Sequence, residues 1–286
     1  MKGVWAAVLT PIDAEFSPDS ARAVPYYAQL LDRGCDGLNL LGTTGEAMSF
    51  SADLRAKFME ELASSGLPMA RAMVGTGAAS LGDVVRLTRL AFAEGFAAAL
   101  IMPPFFVRDA SDDGVVAFFD AVLSRANPPC RSVLLYNFPR MSGITFHAAL
   151  VDRLVAEFPE AVAGMKDSSN DARLQSDVME RHPDLLIFPG SESDLIEAKA
   201  RGVAGCISGS VSLWPELAQA VFAQTDAAQG GELTRKRAGL DGLPFVPAVR
   251  YLTAVERGDP AWERAMPPHT SLTRAERSRL MERVRR

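Results

Sequence analysis

Lys166 is where chemistry is most strongly implied. It lies in Ala163-Gly-Met-Lys-Asp-Ser-Ser169, at the end of a short apolar run that reads as a buried strand. A long ammonium side chain is costly there unless it has a use. Thirty residues upstream, the apolar run Ser132–Pro139 carries Tyr136 near its end. Further upstream, another run leads into Gly42-Thr-Thr-Gly-Glu46. An amine, a phenol and a hydroxyl-bearing glycine turn at the ends of three strands point to Schiff-base chemistry on a small 2-oxo acid.

Each residue type has a reason. A lysine amine attacks a ketone only when neutral, and desolvation in an apolar pocket favours that state. The neighbours Val162, Ala163 and Met165 are apolar. The protonated imine draws electrons from the adjacent carbon and permits C–C cleavage or formation through an enamine. Tyr136 can carry protons to and from the reacting oxygen. The Gly42–Glu46 turn offers closely spaced backbone N–H groups and the hydroxyls of Thr43 and Thr44, a setting that holds a carboxylate. Taken singly, each has a plain alternative: a lysine paired with a carboxylate, a core tyrosine, an ordinary loop. Their combination carries the argument.

Composition narrows the classes. The chain has 286 residues, is 48% hydrophobic and carries a formal charge of −5, which gives no basis for nucleic acid or an anionic membrane as partner. Cys35, Cys130 and Cys206 are too few and too scattered for a disulfide framework or a zinc site. His147, His182 and His269 show no metal-ligand spacing, so neither metal nor organic cofactor is expected. No apolar run approaches the roughly 20 residues of a membrane helix, and the Val4–Leu9 stretch is too short for a signal sequence. A cytoplasmic protein is expected. Gly75-Thr-Gly77 lacks the third glycine of a dinucleotide fingerprint, and Ser208 lacks a nucleophile-elbow setting.

The elements that must position these residues alternate. Eight β-type runs are read at Val4–Thr10, Gly37–Leu41, Met69–Gly75, Ala98–Met102, Ser132–Asn137, Ala161–Lys166, Leu185–Phe188 and Gly202–Ile207. They are apolar almost throughout, as strands covered on both faces should be. Helical patterns follow at Ser20–Arg33, Ser51–Ser65, Ser80–Glu94, Asp112–Ala126, His147–Glu157, Asp171–Arg181, Ser193–Ala200 and Leu213–Gln224. Several open on Ser or Asp, and Gly34, Gly66, Gly95 and Gly202 stand where helices should stop. Eight strand–helix units predict an α/β fold, a (β/α)8 TIM barrel over residues 1–225 rather than an open doubly wound sheet. Residues 226–286 predict a C-terminal helical region packed on the barrel, with helices at Gly231–Leu240, Val246–Arg257 and Thr273–Arg286. A barrel would gather the residues named above on one rim, at the C-terminal strand ends.

With GTTGE at Gly42–Glu46, YNFP at Tyr136–Pro139, GMKD at Gly164–Asp167, the Gly190 turn and GCIS at Gly205–Ser208, the chain resembles the 4-hydroxy-tetrahydrodipicolinate synthase / N-acetylneuraminate lyase family. The resemblance runs from about Met1 to Pro260. It implies an imine on Lys166, Tyr136 as proton shuttle, and Thr43 and Thr44 holding the pyruvate carboxylate, Thr44 also linking to Tyr136. It implies backbone carbonyls of Gly190 and Ile207 near substrate, and a homo-oligomer, commonly a homotetramer built as a dimer of dimers.

Departures bear on the substrate. Lysine-biosynthetic members usually carry an Arg where this chain has Met141; Arg140 stands next to it. They supply a relay Tyr from a neighbouring subunit where this chain has Phe106. The residues that bind feedback lysine are poorly matched around Ala47–Arg55 and Ala79–Asp83. The sialate-lyase sugar positions appear as Ser191 and Gly209, although Glu192 is retained. The resulting expectation is a Schiff-base aldolase or dehydratase acting on pyruvate or a 2-oxo-3-deoxy acid, with a small 2-oxo acid and an aldehyde as partners. Phe105, Phe106 and Met141 admit an apolar aldehyde. The alternatives are the true synthase, with Arg140 or Arg108 replacing the missing Arg, and a non-catalytic binding barrel.

Overall fold

The computed structural model describes residues 1–285. Eight parallel strands run β1 Gly3–Ala7, β2 Gly37–Leu40, β3 Ala72–Gly75, β4 Ala98–Ile101, β5 Val133–Asn137, β6 Val162–Asp167, β7 Leu186–Pro189 and β8 Gly205–Ser208. They pair in the order β7-β6-β5-β4-β3-β2-β1-β8. The Ala204 N–H donates to the Ile187 carbonyl at 2.9 Å across the remaining seam, so the sheet is a nearly closed barrel.

The helices are α1 Ser20–Asp32, α2 Ala52–Ala63, α3 Leu81–Ala93, α4 Asp112–Ala126, α5 Pro139–Ser142, α6 Ala148–Glu157, α7 Ala172–Arg181, α8 Leu195–Arg201, α9 Pro215–Gln224, α10 Ala227–Ala238, α11 Phe245–Arg257 and α12 Arg274–Arg285. Side chains of Ser51, Ser80 and Ser111 cap α2, α3 and α4 by accepting from the N–H groups of Leu54, Asp83 and Gly114. Gly202, at φ +100°, ends α8 in the left-handed region that favours glycine.

Strand parity sets the layers. On β4, Ala98 and Leu100 face the barrel interior, while Ala99 and Ile101 pack outward against helices. On β1, Trp5 and Ala7 face in, and Val4 and Ala6 face out. The interior is filled by Trp5, Met73, Leu134, Phe188 and Ile207, so it is a packed core rather than a channel. The same alternation puts Tyr136 on the inner face between the outward Leu135 and the strand end, whereas on β6 a register shift beside Ala163 leaves both Val162 and Met165 outward, with Lys166 one residue after Met165.

Several expected elements differ in extent: β1 ends at Ala7 rather than Thr10, β8 starts at Gly205 rather than Gly202, and α10 covers Ala227–Ala238 rather than Gly231–Leu240. The run Met69–Gly75 becomes a strand only from Ala72, because Met69–Arg71 closes a 3-10 turn in which the Arg71 N–H donates to the Pro68 carbonyl at 2.8 Å. Beyond β5, where no element was expected, Pro139–Ser142 forms α5, led by the fixed φ of its proline. The expected end of the last helix at Arg286 lies outside the described residues. The C-terminal helices share the barrel's own core, since Leu233, Val249 and Leu280 are buried in the same apolar cluster as Val4 and Leu30. Each such side chain contributes roughly 1.5–3 kcal/mol through burial.

Candidate active site

Lys166 lies on β6 and is 4% exposed. Its Nζ stands 4.5 Å from the centroid of the Tyr136 ring. Tyr136 lies on neighbouring β5, in register with Lys166. The Tyr136 hydroxyl is 3.2 Å from the Thr43 Oγ1, and either can donate. Amine, phenol and hydroxyl therefore form one contiguous group at the C-terminal rim.

The adjoining carboxylate does not neutralise this lysine. Asp167 points away from it and is fully buried. It accepts from Asn137 Nδ2 at 2.7 Å, Ser169 Oγ at 2.7 Å and Gln175 Nε2 at 2.8 Å. Those donors satisfy its charge and tie the ends of β5 and β6 to α7. Among the described residues no carboxylate stands within 4.0 Å of the Lys166 Nζ. The reading of Lys166 as one half of a structural ion pair therefore fails.

In the glycine turn, the hydroxyl that reaches Tyr136 belongs to Thr43, which corrects the expected link through Thr44. The reason is local geometry. Thr44 is buried against the end of β8, its Oγ1 only 2.7 Å from where a Cβ on Gly209 would stand. The two threonines thus face different neighbours, and Thr44 is left beside β8. Glu46, at φ +54°, has no direct part in this group. It is buried and forms an ion pair with Arg250 of α11, whose Nε donates at 2.7 Å. Arg250 also donates to the Thr10 carbonyl, and Glu46 accepts from the Met266 N–H at 2.8 Å. Burial lowers the pKa of the Arg250 guanidinium and Glu46 acts to raise it. This pair clamps the turn to the C-terminal helices. Sequence reasoning missed it, although a charge inside an otherwise glycine- and threonine-rich turn was a usable signal.

Arg55 is a second buried cation, donating to the carbonyls of Gly75 at 2.7 Å and Gly77 at 2.8 Å, where β3 ends. Burial lowers its pKa to about 10. It braces the rim and does not open onto it, being 2% exposed.

The remaining expected site residues spread around the rim. Ile207, on β8, is buried in the interior cluster with Tyr136. Gly190 follows β7, and its N–H donates to the Asp167 carbonyl at 2.7 Å. Met141 and Arg140 lie on α5, so they are about 100° apart on a helical turn rather than on opposite sides of a strand. Both are exposed. Phe106, on the β4–α4 loop, is 85% exposed and makes no part of the Lys166–Tyr136–Thr43 group within this chain. Among the described residues no cluster of three or more His, Cys, Asp or Glu could hold a metal ion. No helix there is long and apolar enough to cross a membrane.

A lysine and a tyrosine on adjacent inner strand ends of a (β/α)8 barrel, beside a hydroxyl-bearing glycine turn, mark the lyase class of this fold. Comparison makes the assignment narrower: residues 1–243 match the dihydrodipicolinate synthetase family, and the chain belongs to it. An uncharacterised DapA-like lyase of Chloroflexus aurantiacus is 35% identical over 85% of this chain and 80% of its own length. A 4-hydroxy-tetrahydrodipicolinate synthase of Ligilactobacillus salivarius is 25% identical over 81% of this chain and 79% of its own. The crystal structure of dihydrodipicolinate synthase from Agrobacterium tumefaciens superposes with a TM-score of 0.92 at 28% identity, covering 99% of this chain and 98% of that one.

Proposed function

We propose that this lyase works through an imine on Lys166, formed with pyruvate or a 2-oxo-3-deoxy acid. The observation that carries the reading is the buried Lys166 amine, free of any carboxylate and 4.5 Å from the Tyr136 ring centroid. The amine attacks the C2 ketone, a C–N bond forms, and the ketone oxygen leaves as water. In the cleavage direction the bond between C3 and C4 breaks. Its electrons enter the iminium to give an enamine, and the C4 hydroxyl proton leaves through Tyr136. In the dehydration alternative, a C3 proton and a hydroxyl of the sugar acid leave instead. Thr43 orients the phenol and extends the proton path. Thr44 and the backbone N–H groups of the turn receive the substrate carboxylate, with the Gly190 and Ile207 carbonyls facing the bound acid.

Local packing argues against a sialate-type sugar site. A side chain at Gly209 would meet Thr44 Oγ1 at 2.7 Å and the Phe245 ring at 2.8 Å, so the serine expected there has no room. The exposure of Phe106 supports assembly with further copies of the chain, as a homotetramer. The synthase activity itself is the second reading, favoured by relatives that carry that name. Met141 and Phe106 weigh against it, since neither side chain can hold a carboxylate or relay a proton.

The test is turnover. Pyruvate release from a panel of 2-oxo-3-deoxy acids is followed with a lactate dehydrogenase couple, beside condensation of pyruvate with aspartate semialdehyde in a reductase couple. Turnover in the first panel, abolished by Lys166→Ala, supports the proposal. Turnover only in the second selects the synthase. Full activity in Lys166→Ala contradicts the mechanism.

A further inference from the structure

We propose that Asn137 and Asp167 are positioning residues: their side-chain hydrogen bond locks the register of β5 against β6 and so keeps Lys166 turned inward against Tyr136. The inference rests on the lyase reading above and concerns how that site is held.

The need for a lock comes from β6 itself. Between β5 and β6 the register runs Val133↔Val162 and then Leu134↔Gly164, so Ala163 is an extra residue, a β-bulge. Without it, alternation from the outward Val162 would put Met165 inside the barrel and Lys166 outside. With it, Met165 packs outward and the Lys166 amine lies over the Tyr136 ring. Gly164 admits the bulge, because a Cβ there would overlap the Leu186 carbonyl oxygen of β7. The inward aim of Lys166 is therefore a matter of register, and a slip of one residue would turn it away from Tyr136.

Above the bulge the pairs are Tyr136↔Lys166 and Asn137↔Asp167. Asn137 and Asp167 each follow a residue of the site, lie on the outer face behind it, and are fully buried. Asn137 Nδ2 donates to Asp167 Oδ1 at 2.7 Å, while Asn137 Oδ1 accepts from the Phe146 N–H at 3.1 Å, so neither end of the amide is free to turn. The two carboxylate oxygens divide their partners. Oδ1 takes Asn137 and the N–H and hydroxyl of Ser169, and Oδ2 takes Gln175 Nε2 from α7 at 2.8 Å. All four donors are neutral, and an acceptor-only group suits four converging donors. Loss of Asn137 frees the strand side of this arrangement, whereas loss of Gln175 frees only the helix side.

The test uses pyruvate alone as probe, with the full-length protein in deuterium oxide. The imine on Lys166 loses a C3 proton to give the enamine and regains a deuteron, so exchange at the pyruvate methyl, followed by NMR, reads the proton transfer. Asn137→Leu should lower the exchange rate at saturating pyruvate roughly tenfold to hundredfold, with KM for pyruvate changed less than about threefold, because the turn after β2 is untouched. Gln175→Met should lower the melting temperature yet leave exchange within about twofold of native. Asp167→Asn keeps an oxygen for Asn137, and Gln175 can turn to the new amide its Oε1, which has no partner, so exchange should stay within about threefold of native. Equal losses in Asn137→Leu and Gln175→Met, or native exchange in Asn137→Leu, overturn the proposal. So does an Asp167→Asn as slow as Asn137→Leu, because charge rather than register would then be acting. Should Asn137→Leu not fold, Asn137→Ser carries the same expectation and the same refutation. Borohydride trapping of pyruvate on the unsubstituted protein separates the two failures: no trapping and no exchange overturn the imine reading and the proposal with it, whereas trapping with exchange indifferent to Asn137 overturns the proposal alone.

Discussion

Glu46→Gln leaves the Arg250 guanidinium charged and buried without its counter-charge. Both side chains are 1% exposed in the native protein, so solvent cannot replace the lost partner. Removing one member of such a pair costs about 3–5 kcal/mol. A chain of 286 residues gains roughly 0.6 kcal/mol per kelvin of unfolding entropy, so the melting temperature should fall by about 5–8 °C. The retained amide can still accept from the Met266 N–H, so the loss belongs mainly to the charge. The double variant Glu46→Gln, Arg250→Met removes both charges and should melt above Glu46→Gln alone. The assay is scanning calorimetry at one fixed protein concentration, because assembly shifts apparent stability. A single-variant loss below about 2 °C, or a double variant that loses the sum of both singles, refutes the reasoning.

Tyr136→Phe should lower kcat by roughly 10²–10⁴, and Thr43→Val by about tenfold, because the second only frees a phenol that the first removes. Steady-state kinetics in the pyruvate-release assay checks both, and a larger effect from Thr43→Val would invert the assigned roles. Burial raises the pKa of the Cys35 thiol to about 12 and that of Cys206 well above its ordinary value, whereas Cys130 is exposed. A chromogenic disulfide reagent near neutral pH should therefore label only Cys130 in the native protein, and the other two after denaturation. The Arg33 fork on Glu216 holds that carboxyl below its ordinary 4.5. Its stabilising contribution is then present above pH 4.5 and lost as pH falls through the depressed value, so the advantage over Glu216→Gln should shrink in acid melts. An advantage that grows on acidification would contradict the sign.

The barrel was legible because both faces of each strand are covered, which turned eight strands into eight continuous apolar runs. Strand ends were less legible: Val8 and Leu9 continue the apolar run of β1 past its assigned end, and a 3-10 turn takes Met69–Arg71 out of the β3 ladder. Lys166 and Tyr136 could be singled out from residue type and position at the ends of apolar runs, but the inward face of Lys166 could not, because a register shift beside Ala163 breaks the alternation along β6. The choice between Thr43 and Thr44 could not, because it depends on how a tight turn packs against β8, and adjacent threonines are equivalent to any pattern of periodicity. The Glu46–Arg250 pair was only half legible for a related reason. The charge in the turn signals that Glu46 needs a partner, but Arg250 lies 204 residues away and no local pattern names it.

The most direct test of the central claim is reductive trapping. The protein is incubated with pyruvate, reduced with borohydride, digested and read by peptide mass spectrometry. The account predicts a pyruvate-derived adduct on Lys166 that is absent without pyruvate and absent in Lys166→Ala. An unmodified Lys166 with both pyruvate and longer 2-oxo acids, or an adduct confined to another lysine, would contradict it.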